Sequence, residues 1–200
     1  MRRMTVMATL CGAMCVGGCH STAVDPGTFK TAINNYYQGK RECVWSASVK
    51  LPAQADTSND EQTKQFDALT DAGLLTRKTG EKSRFLIGSK QVNDYDLSDK
   101  GRSAWTADQA QPGYGNFCFG HLEVSSVDNF TPPDGNAARY SVAYHYGLSG
   151  VPDWASTGEM RTAFPKIASE VSDQQTATAT LVKGSNGWLV ENVQPAVPAT

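Results

Sequence analysis

The first helical pattern of the chain begins shortly after residue 24. Asp25 is a suitable N-cap residue, Pro26 suits the first helical position, and Gly39 stands where a glycine commonly ends a helix. Between Pro26 and Gly39, apolar side chains recur at helical spacing on one face. They are Phe29, Ile33, Tyr36 and Tyr37. The pattern predicts an amphipathic helix that begins at Pro26.

The second half of the chain is rich in segments with strand character. Residues 114–130 and 139–148 are predicted as two long strands, and the cluster Thr-Pro-Pro-Asp-Gly-Asn at 131–136 supplies turn-forming residues between them. We expect the two strands to pair as an antiparallel hairpin. A shorter strand is predicted over 42–51, and Pro52 ends it.

The last predicted hairpin joins the alternating segment 176–182 to the segment 188–193. The Gly-Ser-Asn-Gly turn at 184–187 contains the Asn-Gly pair that supplies the positive φ angles of a hairpin turn. A closing hairpin with Gly-Trp-x-Val resembles the last strands of small envelope proteins in which a curved sheet wraps around a helix, the NTF2-like group among them. Before this hairpin, apolar residues at helical spacing around Pro165 predict two short helices or one kinked helix.

Residues 60–107 carry a pattern of their own. A helix beginning at Asp60 runs into Ala-Gly-Leu-Leu at 72–75, and Tyr-Asp-Leu-Ser-x-x-Gly-Arg follows at 95–102. This layout resembles the winged-helix module, in which a helix enters "aGLL", a β-hairpin follows, and "Y-x-L-[ST]-x-x-G-R" opens a closing helix. The resemblance implies that Leu74 and Leu75 fill the core, that Leu97 ends a wing strand and that Gly101 allows close packing.

In transcription factors such a module binds DNA through a basic recognition helix. The helix predicted here carries Asp67 and Asp71, whose carboxylates would repel phosphate. We therefore expect a structural or protein-contact role for the module. A cytoplasmic DNA-binding regulator is the alternative if the amino-terminal segment is not an export signal. Its wing contacts would then be Arg77, Lys78, Lys82 and Arg84.

The amino terminus indicates where in the cell the protein is located. Two arginines at positions 2 and 3 precede an apolar run at 5–18, which is too short to span a bilayer as a helix and is typical of a secretory signal. Val-Gly-Gly-Cys at 16–19 resembles a lipobox, an aliphatic residue and two small residues before the cysteine that is acylated. Cys11 and Cys15 fit worse because a large residue precedes each of them. An ordinary secretory signal cut nearby is the alternative.

The resemblance implies a lipoprotein in which residues 1–18 are removed, Cys19 is the lipid attachment site and residues 19–25 tether the domain. Lipid chains contribute about 0.8 kcal/mol for each buried methylene, so a multiply acylated cysteine holds a protein on a membrane. In lipoproteins an aspartate just after the cysteine favours the inner membrane, and here His20 occupies that position. The resemblance therefore implies the cell envelope, at the outer membrane and facing the periplasm.

Two cysteines, Cys43 and Cys118, remain beyond the signal. Two cysteines in an oxidising compartment usually pair, so export favours a disulfide bond. Two separate buried thiols and half of a metal site are the alternatives, and the lack of a CxxC spacing weakens the metal site. The formal net charge is −2 and becomes more negative when Arg2 and Arg3 leave with the signal. The domain thus has no electrostatic reason to bind nucleic acid.

Candidate catalytic residues are few. The sequence contains no G-x-S-x-G, S-x-x-K, P-loop or H-E-x-x-H motif. His121 and His145 lie on the two long predicted strands, and with Glu123 they form a metal or acid–base cluster if the strands bring them together. The alternative is two separate imidazoles on a solvated strand face. We predict no cofactor and no metal ion.

Aromatic residues are the other candidates for function. Tyr140, Tyr144 and Tyr146 share one side of a predicted strand because side chains alternate along a strand. Trp154 follows in the next break. Such residues anchor protein interfaces and carbohydrate platforms when they are exposed. This aromatic face is therefore either part of the core or, together with His121 and His145, a binding surface.

These patterns predict an α+β fold with a single globular domain over 26–193. It contains an N-terminal helix, an antiparallel sheet and the winged-helix-like segment at 60–107, and a disordered tail follows at 194–200. We expect a lipid-anchored protein of binding or scaffolding type, whose partners are the membrane, through the N-terminal lipid, and another envelope protein or a glycan. A periplasmic hydrolase or metal-dependent enzyme that uses His121, His145 and Glu123 is the alternative.

Overall fold

The computed structural model describes residues 24–83, 88–132, 138–172 and 174–196. The helices in these ranges are α1 (Pro26–Tyr37), α2 (Asp60–Asp71), α3 (Asp99–Ala104), α4 (Gly158–Ala163) and α5 (Pro165–Ser172), with a 3-10 helix at Asp153–Ser156. The strands are β1 (Arg41–Cys43), β2 (Val49–Lys50), β3 (Ala53–Asp56), β4 (Leu75–Ser83), β5 (Ser89–Leu97), β6 (Trp105–Ala107), β7 (Tyr114–Thr131), β8 (Arg139–Ser149), β9 (Gln175–Gly184) and β10 (Gly187–Pro195). The predicted mixture of helix and sheet is confirmed, and strands dominate it.

The main sheet is antiparallel and is built around β7. Its strands follow the order β1-β7-β8-β9-β10, and β2 and β6 pair with the first residues of β7. The predicted hairpins β7–β8 and β9–β10 form most of the sheet. β7 contains two irregularities, between Val124 and Ser126 and between Val127 and Asn129. Bulges of this kind bend a strand and increase its twist, which lets the sheet curl around a helix.

α1 packs against the later part of β7 and the strands beside it. The helix begins at Pro26, and Gly39 follows it with a φ angle of 82°, as the sequence predicts. Phe29 and Ile33 are fully buried and Tyr37 is nearly so. Their buried partners, which together with them form the sheet core, are Val124, Val142, Tyr144, Tyr146, Ala177, Ala179 and Leu181.

Residues 53–83 and 88–104 form a further layer, named here the three-stranded module. Strands β3, β5 and β4 pair in that order as an antiparallel sheet, α2 packs on β4 and β3, and α3 follows β5. Leu74 and Leu75 are buried. A Cβ atom at Gly101 would lie 1.8 Å from the carbonyl oxygen of Leu74, so the close packing expected of this glycine is present.

A second core, the module core, joins the module to the start of β7. Buried side chains of α2, β5 and β7 meet there with others from α4 and α5. They include Phe66, Leu69, Tyr95, Phe117 and Phe119. β7 contributes its first residues to this core and its later residues to the sheet core, so one strand links the two parts of the fold.

Some boundaries differ from the prediction. The segment 42–51 forms two short strands instead of one, because β1 and β2 pair with different parts of β7. β3 has no predicted counterpart. Gln194 and Pro195 belong to β10 and pair with β9, so the tail predicted as disordered does not begin at residue 194. Residues 197–200 lie outside the described ranges.

Pro165 separates α4 from α5 and is the first residue of α5. Two short helices are therefore present, since proline suits the first turn of a helix and not its interior. Across the described ranges, no helix combines the length and apolarity needed to cross a bilayer. The predicted signal at 1–18 and Cys19 lie outside these ranges.

Candidate functional site

Cys43 on β1 and Cys118 on β7 form a disulfide bond, as predicted. The two residues pair directly across the antiparallel strands, with Cα atoms 3.8 Å apart and sulfur atoms 2.09 Å apart. β1 follows α1 after the turn at Gly39. The bond therefore ties the segment after α1 to the central strand of the main sheet.

The predicted aromatic face belongs to the core. Tyr144 is fully buried and Tyr146 is 6% exposed, because α1 and its neighbours cover them. The hydroxyls of Tyr37 and Tyr144 lie 2.7 Å apart and share a hydrogen bond, and the Tyr146 hydroxyl donates to Oε1 of Gln175 at 2.9 Å. Burial raises the pKa of Tyr144 well above its usual range, and the hydrogen bond with Tyr37 adds to this effect. The hydroxyl groups of both tyrosines thus have hydrogen-bond partners inside the protein.

Tyr140 and Trp154 lie in different cores. Tyr140 is half-buried, with ring centroids 5.2 Å from Phe29 and 5.4 Å from Trp188. Trp154 is buried in the module core, 6.2 Å from the ring of Phe117. The four aromatic residues therefore do not form one exposed face, and of the two alternatives left open by the sequence, burial in the core applies to Tyr144, Tyr146 and Trp154.

His121 and His145 lie on neighbouring strands but at different positions along them. His121 pairs with Ser149 of β8, whereas His145 pairs with Ser126 of β7. At roughly 3.3 Å per residue, the offset along β8 corresponds to about 13 Å. Nε2 of His145 lies 3.1 Å from a carboxylate oxygen of Asp128. The strand register thus keeps the two histidines apart and gives His145 a carboxylate partner of its own.

A polar cavity of about 520 Å³, named here the α1–α5 cavity, lies between α1, the β7–β8 hairpin and α5. Its polar lining side chains are Lys30, Glu123, Ser125, Ser149, Glu170 and Gln174. Nζ of Lys30 donates to the carbonyl oxygen of Ser125 at 3.1 Å, and the Gln174 amide donates to the Ser125 hydroxyl. α1 and the segment before β9 are therefore fixed to the same point of β7.

The predicted candidates divide between this cavity and its surroundings. Glu123 lines the α1–α5 cavity and, together with His121, a smaller cavity beside Asn34 and Gln38 of α1. His145 lines neither of these two cavities. Within the part of the chain that the structure describes, no group of three or more histidine, cysteine, aspartate or glutamate side chains is placed to hold a metal ion.

Glu170 is the most unusual ionisable group of the cavity. Its side chain is 19% exposed, and Oε2 is buried and has no hydrogen-bond partner among the described residues. Burial, and after it the carboxylate of Glu42, raises the pKa of Glu170 to about 7 against the opposing effect of Lys166. Nζ of Lys166 lies 2.6 Å from Glu42 but 4.0 Å from Glu170. Lys166 therefore neutralises mainly the negative charge of Glu42.

Sequence reasoning missed this group of three residues. Lys166 and Glu170 are four residues apart on α5, which is the spacing of an ordinary helix-surface ion pair. Glu42 comes from β1, far away in the sequence, and no sequence pattern links it to α5. The pairing of β1 with β7, together with the packing of α5, brings the three charges together.

The arrangement supports binding of a polar group more directly than it supports a reaction. A carboxyl group with a pKa near neutrality can donate or accept a hydrogen bond within the physiological pH range. The lining side chains named above are carboxylates, hydroxyls, an amide and an amine, which suit the hydroxyl and amide groups of a polar ligand. Comparisons with protein-family models, with curated proteins and with solved structures find no match to this chain.

Proposed function

We propose that this chain is a bacterial lipoprotein, anchored in the cell envelope by lipid on Cys19, whose domain binds another envelope protein or a glycan. The secretory character of residues 1–18 and the sequence Val-Gly-Gly-Cys at 16–19 support the anchor. His20 after the cysteine favours the outer membrane, with the domain facing the periplasm.

The disulfide between Cys43 and Cys118 is the observation that carries the proposal of export. Disulfides persist in oxidising compartments such as the periplasm and are rare in the cytosol. Of the five cysteines in the sequence, three lie in or at the end of the signal-like segment, and the other two are paired. This arrangement of cysteines is consistent with an exported domain that has no free thiol.

The three-stranded module supports a protein-contact role. Its order of a helix, a β-hairpin and a short closing helix resembles winged-helix modules. We do not propose DNA binding, because residues 53–104 contain nine acidic and eight basic residues. Arg77, a candidate phosphate contact, is paired with Asp67 at 2.7 Å. A DNA-binding surface needs cations that are available to neutralise phosphates.

The α1–α5 cavity supports the binding of a small polar group, such as part of a glycan or a peptide. The hydrolase or metal-enzyme alternative has less support, because two of its three residues, His121 and Glu123, line one cavity and His145 does not line it. The strand register separates His121 from His145 by about 13 Å along β8, and Glu123 is exposed on β7.

The intact mass of the protein extracted from membranes tests the proposal. We expect a chain that starts at Cys19, carries a diacyl or triacyl modification, and gains one hydrogen per paired sulfur on reduction. Cys19→Ala should abolish the lipid adduct, whereas the matched control Cys15→Ala should be acylated like the parent protein. A full-length, unacylated chain with free Cys43 and Cys118 contradicts the proposal and makes DNA binding by the module the next hypothesis to test.

A further inference from the structure

The start of α1 lies beside the turn of the β9–β10 hairpin. Asp25 lines a cavity of about 610 Å³ together with Asn186 and Gly187 of that turn. The ring of Phe29, in the first turn of α1, lies 5.2 Å from the ring of Trp188. The beginning of the helix and the hairpin turn therefore occupy the same end of the domain, named here the α1 end.

The end of β7 is at the same place. The ring of Phe29 lies 5.1 Å from that of Phe130, which is the second-last residue of β7. The start of β7 is in the module core, where Phe117 is buried. β7 therefore runs from the module to the α1 end.

A short tether separates the α1 end from Cys19. Val24 packs against the sheet core, so the folded domain begins five residues after the cysteine. At no more than about 3.6 Å per residue, this tether reaches roughly 18 Å. With lipid on Cys19, the α1 end cannot move farther than this from the bilayer surface.

Leu189 supplies an apolar group at the α1 end. It is 62% exposed and is the one large hydrophobic side chain with such exposure among the residues that the structure describes. It lies on β10, the edge strand of the main sheet, two residues after the turn residue Gly187. A lone exposed leucine is common on soluble proteins, and the short tether beside it is what makes its position informative.

Charges near this end are balanced. Asp25 and Lys183 are of opposite sign, and Arg139 is held by both carboxylate oxygens of Glu191, at 2.7 and 2.6 Å. Such an end has no strong net attraction for anionic headgroups. Its contact with lipid would therefore depend on apolar burial and on the anchor.

We propose that the α1 end rests on the lipid bilayer and that Leu189 enters the interface between headgroups and acyl chains. This inference rests on the lipid attachment at Cys19 proposed above. β7 then sets how far the domain extends from the membrane, because 18 residues at roughly 3.3 Å each span up to about 60 Å before bulges shorten the strand. The three-stranded module is thereby held away from the membrane, where a periplasmic protein can reach it.

Labelling of a single introduced cysteine tests this orientation. Cys19 is acylated and Cys43 is paired with Cys118, so an added cysteine is the one thiol of the mature protein that can be labelled. The test site is Leu189→Cys, and the matched control is Gln109→Cys, an exposed position near the start of β7. Each acylated variant carries an environment-sensitive fluorophore and is reconstituted in phosphatidylcholine vesicles, with or without a lipid that bears a nitroxide quencher on its acyl chain.

We expect blue-shifted emission and several-fold stronger quenching at position 189 than at position 109. A label at Ser185→Cys, in the hairpin turn, should also be quenched more than the control. Equal quenching at 189 and 109 overturns the inference. The intact mass of the same samples separates the two possible failures. An acylated, vesicle-bound protein with an unquenched label at 189 refutes the orientation alone, whereas an unacylated protein refutes the lipid anchor itself.

Discussion

Gly101 packs directly on the backbone of Leu74, where a Cβ atom would lie 1.8 Å from the carbonyl oxygen. The N–H of Gly101 donates to the Ser98 hydroxyl at 2.8 Å, and the N–H of Ser98 donates to the Leu74 carbonyl oxygen at 3.1 Å. These contacts fix the start of α3 against the turn between α2 and β4. The packing of the module at this point therefore requires a residue without a Cβ atom.

Gly101→Ala should destabilise the protein by about 1–3 kcal/mol, the usual cost of overpacking. The atoms around the added methyl group belong to the backbone and cannot move aside as a flexible side chain can. Gly158→Ala, at the first residue of α4, is the matched control, because its Cβ would meet no atom within 4 Å. Urea unfolding followed by circular dichroism compares the two variants. Equal stability would contradict the packing argument.

The hydrogen bond between Tyr37 and Tyr144 joins α1 to β8 inside the sheet core. Tyr37→Phe leaves the buried Tyr144 hydroxyl without this partner, which should cost about 1–3 kcal/mol of unfolding free energy. The double variant Tyr37→Phe/Tyr144→Phe should lose less than the sum of the single losses, since neither orphaned hydroxyl remains. Urea unfolding of all three variants measures this coupling, with Tyr36→Phe as a control for the neighbouring half-buried tyrosine. Strictly additive losses would show that the pair contributes nothing.

Local sequence signals predicted elements whose physical cause is local. Proline at the first position of α1 and Ser98 at the start of α3 each act on the residues next to them. The predicted last turn is present, but of its Asn-Gly pair only Gly187 has a positive φ angle, 124°. The alternation of tyrosines on β8 was also predicted correctly. The sequence did not reveal that α1 covers this face, because burial depends on an element more than 100 residues away in the chain. The sequence alone therefore left open whether this face is part of the core or a binding surface.

The candidate site was harder to predict than the fold. Glu123 was singled out, but the neighbours that give the α1–α5 cavity its character come from α1, α5 and β1. The pairing of His145 with Asp128 depends on the bulges of β7, which shift the register by residues that no alternation pattern indicates. Sites that are formed by such non-local contacts can be identified from the three-dimensional structure and not from sequence patterns.

The disulfide should be a large contributor to stability. Cys43 and Cys118 are 75 residues apart, and closing a loop of that length corresponds to roughly 4 kcal/mol in the chain-entropy model. We expect reduction, or the double variant Cys43→Ala/Cys118→Ala, to lower the unfolding free energy by about 2–5 kcal/mol. Urea unfolding with and without reductant measures the loss. The double variant is the control, since reductant should not alter its midpoint, and an unchanged midpoint for the parent protein would contradict the prediction.

Glu170 should make the stability of the protein fall with rising pH. Its pKa is about 7 in the folded protein, against an ordinary value of 4.5, because of burial and of Glu42. The folded state therefore keeps a proton that the unfolded state releases, and the unfolding free energy falls as the pH rises from about 4.5 to about 7. The other groups that act on this site are Lys166, which favours ionisation of Glu170, and the neighbouring Tyr146.

Glu170→Gln removes the charge and keeps the shape of the side chain. Above about pH 7 the variant should be more stable than the parent by on the order of 1 kcal/mol, and the difference should vanish below about pH 4.5, where both states of the parent are protonated. Glu159→Gln, at an exposed position of α4, removes the same charge and should leave the pH dependence unchanged. Urea unfolding across this pH range distinguishes the variants. Parallel curves for the parent and Glu170→Gln would mean that the carboxyl group ionises in the folded protein as it does in the unfolded chain.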